Sequence, residues 1–366
     1  MSRPLLIAAG GTGGHMFPAL AVAAELRRRG RAVALVTDPR GARFARDERD
    51  CAVIAAASPT GGALSRLAAV ATLARGFFQS LSVVHRTRPA AAATFGGYAS
   101  VPAALAARLA RVPLLVHEQN AVMGRANRLL ARFAARVVLT FAGTAAVPAL
   151  ARGRVLVAGN PVRPGFAATS PAADRLGCAS DDRLRLLILG GSQGARIFAD
   201  IVPTAVALLP AALRARLAIA QQCRSEDLER VRAAYAAIAQ PVELATFFDD
   251  VPARMATADL VVARSGASTV AELLALGRPA LFVPYAFAAD DHQTANARAL
   301  EEAGAAVLLP QAEASPSTLA RQLAALLEDP ARRAAMAQAA RRLARPDAAA
   351  RIADALDALA RGVTAR

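Results

Sequence analysis

The 366-residue chain contains no lysine; all 44 cationic side chains are arginine, set against 28 carboxylates for a formal net charge of +16. That absence excludes a P-loop nucleotidase, whose lysine holds the phosphates, and any enzyme working through a lysine Schiff base. An all-arginine, alanine-rich chain carries the mark of base composition, so its charge is weak evidence for nucleic acid, and no nucleic-acid partner is expected. The charge still favours anionic partners such as phosphates or an acidic membrane surface. Cysteine is scarce: Cys51, Cys178 and Cys223 are scattered and odd in number, which argues for a reduced chain and against a disulfide framework. The four histidines, His15, His85, His117 and His292, show no metal-ligand spacing. No D-x-D motif stands at a strand end, so neither a metal nor another cofactor is expected. No run approaches about 20 uninterrupted apolar residues, and a strand pattern begins almost at once, so neither a membrane span nor a signal peptide is expected.

What the chain has in quantity is apolar residues, 55% of the total, enough for two buried cores over this length. Apolar runs of four to six residues alternate with helical periodicity. Strands are expected near residues 4–9, 32–37, 91–95, 113–116, 136–140 and 155–158. Helical spacing covers residues 17–29, 62–86, 100–110 and 126–134. Residues 159–171, GNPVRPGFAATSP, hold three prolines and two glycines and break the rhythm, which marks a linker. The pattern then restarts, with strands expected near 185–189, 217–221, 242–245, 260–263 and 280–283, and a helical tail from 315. This is the doubly wound parallel α/β pattern written twice. The expected domains are residues 1–162 and 163–345, with a C-terminal helix over 346–366 packing back on the first.

Each half opens with a strand and a glycine turn: LLIAAGGTGGH ends in Gly10, Gly11, Thr12, Gly13, Gly14 and His15, and LRLLILGGSQGAR holds Gly190, Gly191, Ser192, Gln193 and Gly194. A strand, a glycine loop and a helix N-terminus cradle phosphate, because backbone N–H groups approach the anion and the helix dipole favours its charge. Either loop alone is equally well a tight turn; two in equivalent places favour a ligand site. Three functions compete for them. A dinucleotide oxidoreductase needs G-x-G-x-x-G and an acid after the second strand; Asp38 fits, but Met16 stands where the third glycine belongs. A serine hydrolase finds G-x-S-x-G around Ser192, with Asp249 or Asp250 and His292 following, yet leaves the first half unexplained. A nucleotide-sugar transferase uses both halves. It also uses the polar cluster His117, Glu118, Gln119 and Asn120 at a strand end, and the RSGAST turn opening the helix that carries Glu272.

The motifs GGTGGH, FGGY, HEQN, GNPVR, GGSQGA, RSGAST-x-x-E and DDHQ-x-x-NA, in this order, resemble the MurG family. These are undecaprenyl-diphospho-muramoylpentapeptide β-N-acetylglucosaminyltransferases of glycosyltransferase family 28. The resemblance runs from Leu5 to about Leu309. It implies a GT-B fold, two Rossmann-like domains facing a cleft. It also implies inverting transfer of GlcNAc from UDP-GlcNAc to lipid I, giving lipid II and UDP in peptidoglycan synthesis, from the cytoplasmic face of the inner membrane. Cell-wall and division machinery are then expected partners.

Carried over by position, the donor contacts fall on Thr12, Gly13, Gly14, Asn120, Arg163, Ser192, Phe248, Ala267, Ser268, Thr269, Val270, Ala271, Glu272 and Gln293. Phe248 stands where an aliphatic residue is expected, a change tolerated if the contact to uracil is through the backbone. A single displacement needs a base at the acceptor hydroxyl. His15 is the first candidate and Glu118 its rival, while a purely structural His15 remains open. A lipid acceptor requires reaching the bilayer, and Phe77, Phe78, Leu81 and Val84, flanked by Arg66, Arg75, Arg86 and Arg88, form the expected membrane patch. The same periodicity suits a core-packed helix.

Overall fold

A computed structural model describes residues 3–46, 48, 50–58, 62–163, 165–166, 183–191 and 194–362. In chain order the elements are β1 (Leu5–Ala8), α1 (Gly13–Arg28), β2 (Val33–Thr37), α2 (Pro39–Ala42), β3 (Cys51–Val53), α3 (Ala63–Thr87), β4 (Ala91–Thr94), α4 (Ser100–Leu109), β5 (Leu114–Glu118), α5 (Arg125–Ala131), β6 (Arg136–Leu139) and β7 (Val155–Val157). There follow β8 (Leu184–Leu189), α6 (Arg196–Ala207), α7 (Ala211–Ala215), β9 (Leu217–Gln222), α8 (Leu228–Ala237), β10 (Val242–Ala245), α9 (Val251–Thr257), β11 (Leu260–Ala263), α10 (Ala267–Leu276), β12 (Ala280–Phe282), α11 (His292–Glu302), β13 (Ala306–Leu308), α12 (Pro316–Leu327), α13 (Pro330–Leu343) and α14 (Ala348–Ala360).

The chain divides into two compact units, Met1–Arg163 with Arg345–Arg366, and Pro164–Ala344. In the first, seven parallel strands lie in the order β3-β2-β1-β4-β5-β6-β7, with Leu5 in register with both Val33 and Ala91. The strands read as unbroken apolar runs because both sheet faces are covered. Side chains alternate across the sheet: Leu6, Val36, Leu114 and Val116 pack against α3, α4 and α5, while Leu5, Ile7, Leu35 and Leu115 pack against α1 and the Ile352 and Leu356 side of α14. The second unit has six parallel strands, β10-β9-β8-β11-β12-β13, around a core that includes Ile188, Phe198, Val262, Leu281 and Leu323. In each sheet the strand order reverses beside the first strand, between β1 and β4 and between β8 and β11. Ligands of doubly wound sheets bind outside the carboxyl ends of the strands at that reversal. The glycine turns and the RSGAST turn all leave from those strands.

Several elements differ from the sequence expectation. Helix α1 begins at Gly13, inside the glycine turn rather than at residue 17. Strands β3 and β13, three residues each, lie outside the expected strands. Strand β5 runs on through Glu118, so His117 and Glu118 are strand residues, and with Gln119 they are buried rather than projecting from an open loop.

Helix α3 requires two corrections. It is long and apolar enough to cross a bilayer by length and composition, which was not expected. It nevertheless contributes Ala69, Gly76, Ser80, Val83 and Val84 to the buried side, where it packs along α4. A Cβ on Gly76 would lie 2.0 Å from the Ala55 carbonyl oxygen, so this glycine lets the helix approach the chain and fixes its rotation. The expected membrane patch is divided accordingly. Val84 is 3% exposed and Phe77 and Leu81 pack against the core, leaving Phe78 outside at 68%. The exposed apolar side chains of α3 lie nearer its start, at Leu64, Leu67 and Val70.

Candidate functional site

In the first unit the turn after β1 is built by the turn after β4. Gly10 N–H donates to the Gly96 carbonyl (3.3 Å), and Ser100 Oγ–H donates to the same carbonyl (2.7 Å). Gly97 has φ +78°, and a Cβ there would stand 2.4 Å from the Gly10 carbonyl oxygen, so only glycine lets the turns interlock. Thr12 is the N-cap of α1 without a side-chain cap bond; its carbonyl accepts from His15 N–H and Met16 N–H. The Gly13 and Gly14 N–H groups thus open the helix at the strand-order reversal, the geometry of an anion or hydroxyl contact. His15 is half-buried, and its Nδ1–H donates to the Gly10 carbonyl at 3.1 Å, which makes Nε2 the basic nitrogen of the neutral ring.

At the end of β5 the alternation of a strand sorts the four polar residues into two pairs. His117 lies against Phe95; its Nε2–H donates to the Gly159 carbonyl (2.9 Å) and its Nδ1 accepts from Gln119 Nε2–H (2.9 Å). Burial pushes the His117 pKa from 6.5 down to about 4, opposed in part by the Gly159 bond, so the ring is neutral. On the other face Glu118, 1% exposed, has both oxygens occupied. Oε1 accepts from Asn120 N–H (2.9 Å) and Asn120 Nδ2–H (3.2 Å), and Oε2 from Gly124 N–H (2.9 Å) and Asn127 Nδ2–H (2.8 Å). A carboxylate bound by four N–H groups and closed to solvent cannot meet an incoming hydroxyl. Both Glu118 oxygens are taken up by the loop and by Asn120, an arrangement that favours His15 over Glu118 as the base.

Arg163 places its guanidinium 4.7 Å from the centre of the Phe17 ring, which seats the GNPVR arginine on the start of α1. Asp38, buried at the end of β2, accepts from Gly11 N–H (2.9 Å) and Gly41 N–H (2.8 Å) and meets Arg40. It is a turn-building residue, which removes the ribose-binding acid an oxidoreductase requires.

In the second unit the β8 turn is held by Gly190 N–H donating to Gln222 Oε1 (3.1 Å). Ser192 and Gln193 lie outside the described residues, as does Cys178. Of the remaining hydrolase candidates, Asp250 and His292 each have another partner. Arg254 bonds Asp250 at 2.6 Å and holds its carboxyl below the usual range, while His292 Nδ1 bonds the Ala289 carbonyl (2.8 Å).

After β11, Ser265 is fully buried; its Oγ–H donates to the Gln293 carbonyl (2.8 Å), and its own carbonyl accepts from Asn296 Nδ2–H (2.9 Å). Gln293 Oε1 accepts from Tyr285 N–H (3.0 Å), so this side chain shapes the turn after β12. Gly266 caps α10, with Ala267, Ser268 and Thr269 in its first turn and Ser268 Oγ buried without a partner. Val270 and Ala271 face the core, so any ligand contact there is through the backbone; Glu272 follows, 4% exposed. Phe248 is buried under the Arg254 guanidinium, 4.3 Å from the ring centre. Arg264 donates to the Val283 (2.8 Å) and Pro284 (2.7 Å) carbonyls between the Phe198 and Tyr285 rings, and burial lowers its pKa to about 10. It is a largely buried cation beside the phosphate-type turn. Gln119 and Arg264 stand within the HEQN and RSGAST motifs, and only burial and partners distinguish them from their neighbours.

Two family models match the chain: the glycosyltransferase family 28 N-terminal domain over residues 5–139 and the family 28 C-terminal domain over residues 185–352. The chain belongs to glycosyltransferase family 28. This family 28 chain is 48% identical over 361 residues to a Granulibacter bethesdensis protein named UDP-N-acetylglucosamine–N-acetylmuramyl-(pentapeptide) pyrophosphoryl-undecaprenol N-acetylglucosamine transferase, covering 97% of this chain and 93% of that one. A Methylobacterium relative of the same name is 51% identical, covering 96% of each. The crystal structure of Acinetobacter baumannii MurG matches with a TM-score of 0.79 at 32% identity, covering 97% of this chain and 99% of that one. The two parallel-sheet Rossmann-like units are those of the GT-B fold, as the resemblance implied.

Proposed function

We propose that this family 28 chain transfers GlcNAc from UDP-GlcNAc to the muramoyl sugar of lipid I, giving lipid II and UDP with inversion. The observation that carries the reading is identity of 48–51% with transferases so named, over nearly the whole length of both chains. In this reaction the acceptor hydroxyl oxygen attacks the anomeric carbon of GlcNAc, and the bond to the diphosphate oxygen breaks with its electron pair. The hydroxyl proton passes to Nε2 of His15, whose Nδ1–H bond to Gly10 O keeps the ring oriented as a base. Charge on the leaving diphosphate is stabilised by Ser192, the Arg163 guanidinium and the α10 N-terminus with Ala267, Ser268 and Thr269. Glu272 takes the ribose hydroxyls and the Phe248 backbone the uracil. Gln293 completes the donor contacts of the second unit; Thr12, Gly13, Gly14 and Asn120 are those of the first.

The lipid acceptor is reached by peripheral docking on the cytoplasmic face of the inner membrane. Supporting this, α3 exposes Leu64, Leu67, Val70 and Phe78, carries Arg66, Arg75 and Arg86, and contains no acidic residue. An apolar face with a basic flank suits an anionic bilayer surface.

The test is a transfer assay with UDP-GlcNAc and a short-chain lipid I analogue, run beside thermal shifts with UDP-GlcNAc, UDP-glucose and NAD. Transfer of GlcNAc and preferential stabilisation by UDP-GlcNAc are expected. Stabilisation by NAD alone, or no transfer, would sink the reading.

A further inference from the structure

Gln119 is 1% exposed, yet its Oε1 has no hydrogen-bond partner. Its amide orientation is settled by His117. Gln119 Nε2 donates to the His117 carbonyl (3.1 Å), which only accepts, and to His117 Nδ1, which must accept because Nε2–H serves the Gly159 carbonyl. The amide nitrogen therefore faces His117 and the oxygen faces away. It is turned towards Gly96: a Cβ on Gly96 would lie 3.6 Å from Gln119 Oε1, 2.8 Å from His15 Cδ2 and 3.1 Å from His15 Nε2. The buried oxygen and the Cδ2–Nε2 edge of His15 both border the space that the missing side chain of Gly96 leaves. A buried carbonyl oxygen without a donor is costly, and such costs persist where a partner or a charge arises during function.

We infer that Gln119 is a positioning residue for His15, its Oε1 supplying the negative end of a fixed dipole that favours the ring once it has accepted the proton of the acceptor hydroxyl. The inference rests on His15 being the base. Because burial holds His117 neutral, the amide that it orients does not turn over during a pH change in the working range. The other charged or titratable groups around the turn are Asp38 and Arg40 from β2 and α2, Tyr98 after β4, Glu118 on the far face of β5, and Arg163 over Phe17. Asp38, Arg40, Glu118 and Arg163 are engaged with the partners described, and Gln119 Oε1 has no hydrogen-bond partner. An oriented carbonyl raises the basicity of the imidazole it faces, and its effect is greatest where water is excluded.

The experiment measures kcat/KM against pH for the full chain and for Gln119→Met, Gln119→Leu and His15→Gln, with thermal melting to monitor folding. A base must be unprotonated to act, so activity falls on the acid side as His15 binds a proton. Removing the dipole in Gln119→Met is expected to move that acid limb down by about one pH unit and to lower kcat about tenfold, with the KM for UDP-GlcNAc little changed. Gln119→Leu, also without the dipole but branched, is expected to move the limb down likewise; this variant carries the test if Gln119→Met does not fold. An acid limb that stays put in the folded variants overturns the inference, even if kcat falls, since a merely structural role would leave the limb in place. An acid limb surviving in an active His15→Gln enzyme overturns the base assignment itself, and the two failures are thereby told apart.

Discussion

Glu118→Gln separates a loop-building carboxylate from a catalytic one. The wild-type side chain accepts four N–H groups, two at each oxygen, at 2.8–3.2 Å in a site closed to solvent. Glutamine keeps the shape but turns one oxygen into an NH2 group. Whichever position it takes, two donors then face a donor, and the remaining two bonds lose their charge assistance. Hydrogen bonds to a charged group contribute about 1.5–3 kcal/mol each, so losing two costs about 3–6 kcal/mol. For a unit of this size, each kcal/mol lowers the melting temperature by about 2–4 °C, which predicts a fall of roughly 6–24 °C for the first unit's transition in calorimetry. Because this carboxylate accepts from both the backbone and the side-chain N–H of Asn120, the KM for UDP-GlcNAc should rise about tenfold, with the acid limb of the pH profile unchanged. A Glu118→Gln protein that melts within a degree or two of wild type, but has lost turnover together with its acid limb, would refute the argument and restore Glu118 as the base.

The remaining expectations are briefer. His117 has its folded pKa depressed from 6.5 to about 4, so the unfolded chain binds the proton first as pH falls. Stability is full above about pH 6.5 and about 3 kcal/mol is lost on going down to pH 4; melting temperature against pH should show this slope and His117→Gln should flatten it. Gly97→Ala drives a Cβ to 2.4 Å from the Gly10 carbonyl at φ +78°, and should lower stability by about 2 kcal/mol or more in denaturant titration. On α3, Leu67→Asp with Phe78→Asp should leave the melt unchanged and weaken binding to anionic vesicles about tenfold, whereas Val84→Asp should unfold the first unit. Vesicle binding unaffected by the double substitution would count against docking through this face.

Residue types and spacing were enough to determine the repeated parallel α/β pattern and the glycine turns. A strand covered on both faces must be a continuous apolar run, and a turn at φ near +80° beside a carbonyl admits only glycine. The motif order did the same for the family. Sequence could not determine which polar groups at a strand end remain available for chemistry. His117, Glu118, Gln119 and Asn120 are consecutive and all polar, but their environments depend on a two-residue alternation and on partners as far away as Gly159, Asn127 and Gly96. Tertiary structure made Glu118 a saturated scaffold and left Gln119 with an unused acceptor. It also fixed the rotation of α3. That helix is apolar on more than one side, so periodicity allows Phe77 and Val84 to face outward, until the close approach of Gly76 to the Ala55 carbonyl turns them inward and leaves Leu64, Leu67, Val70 and Phe78 outside.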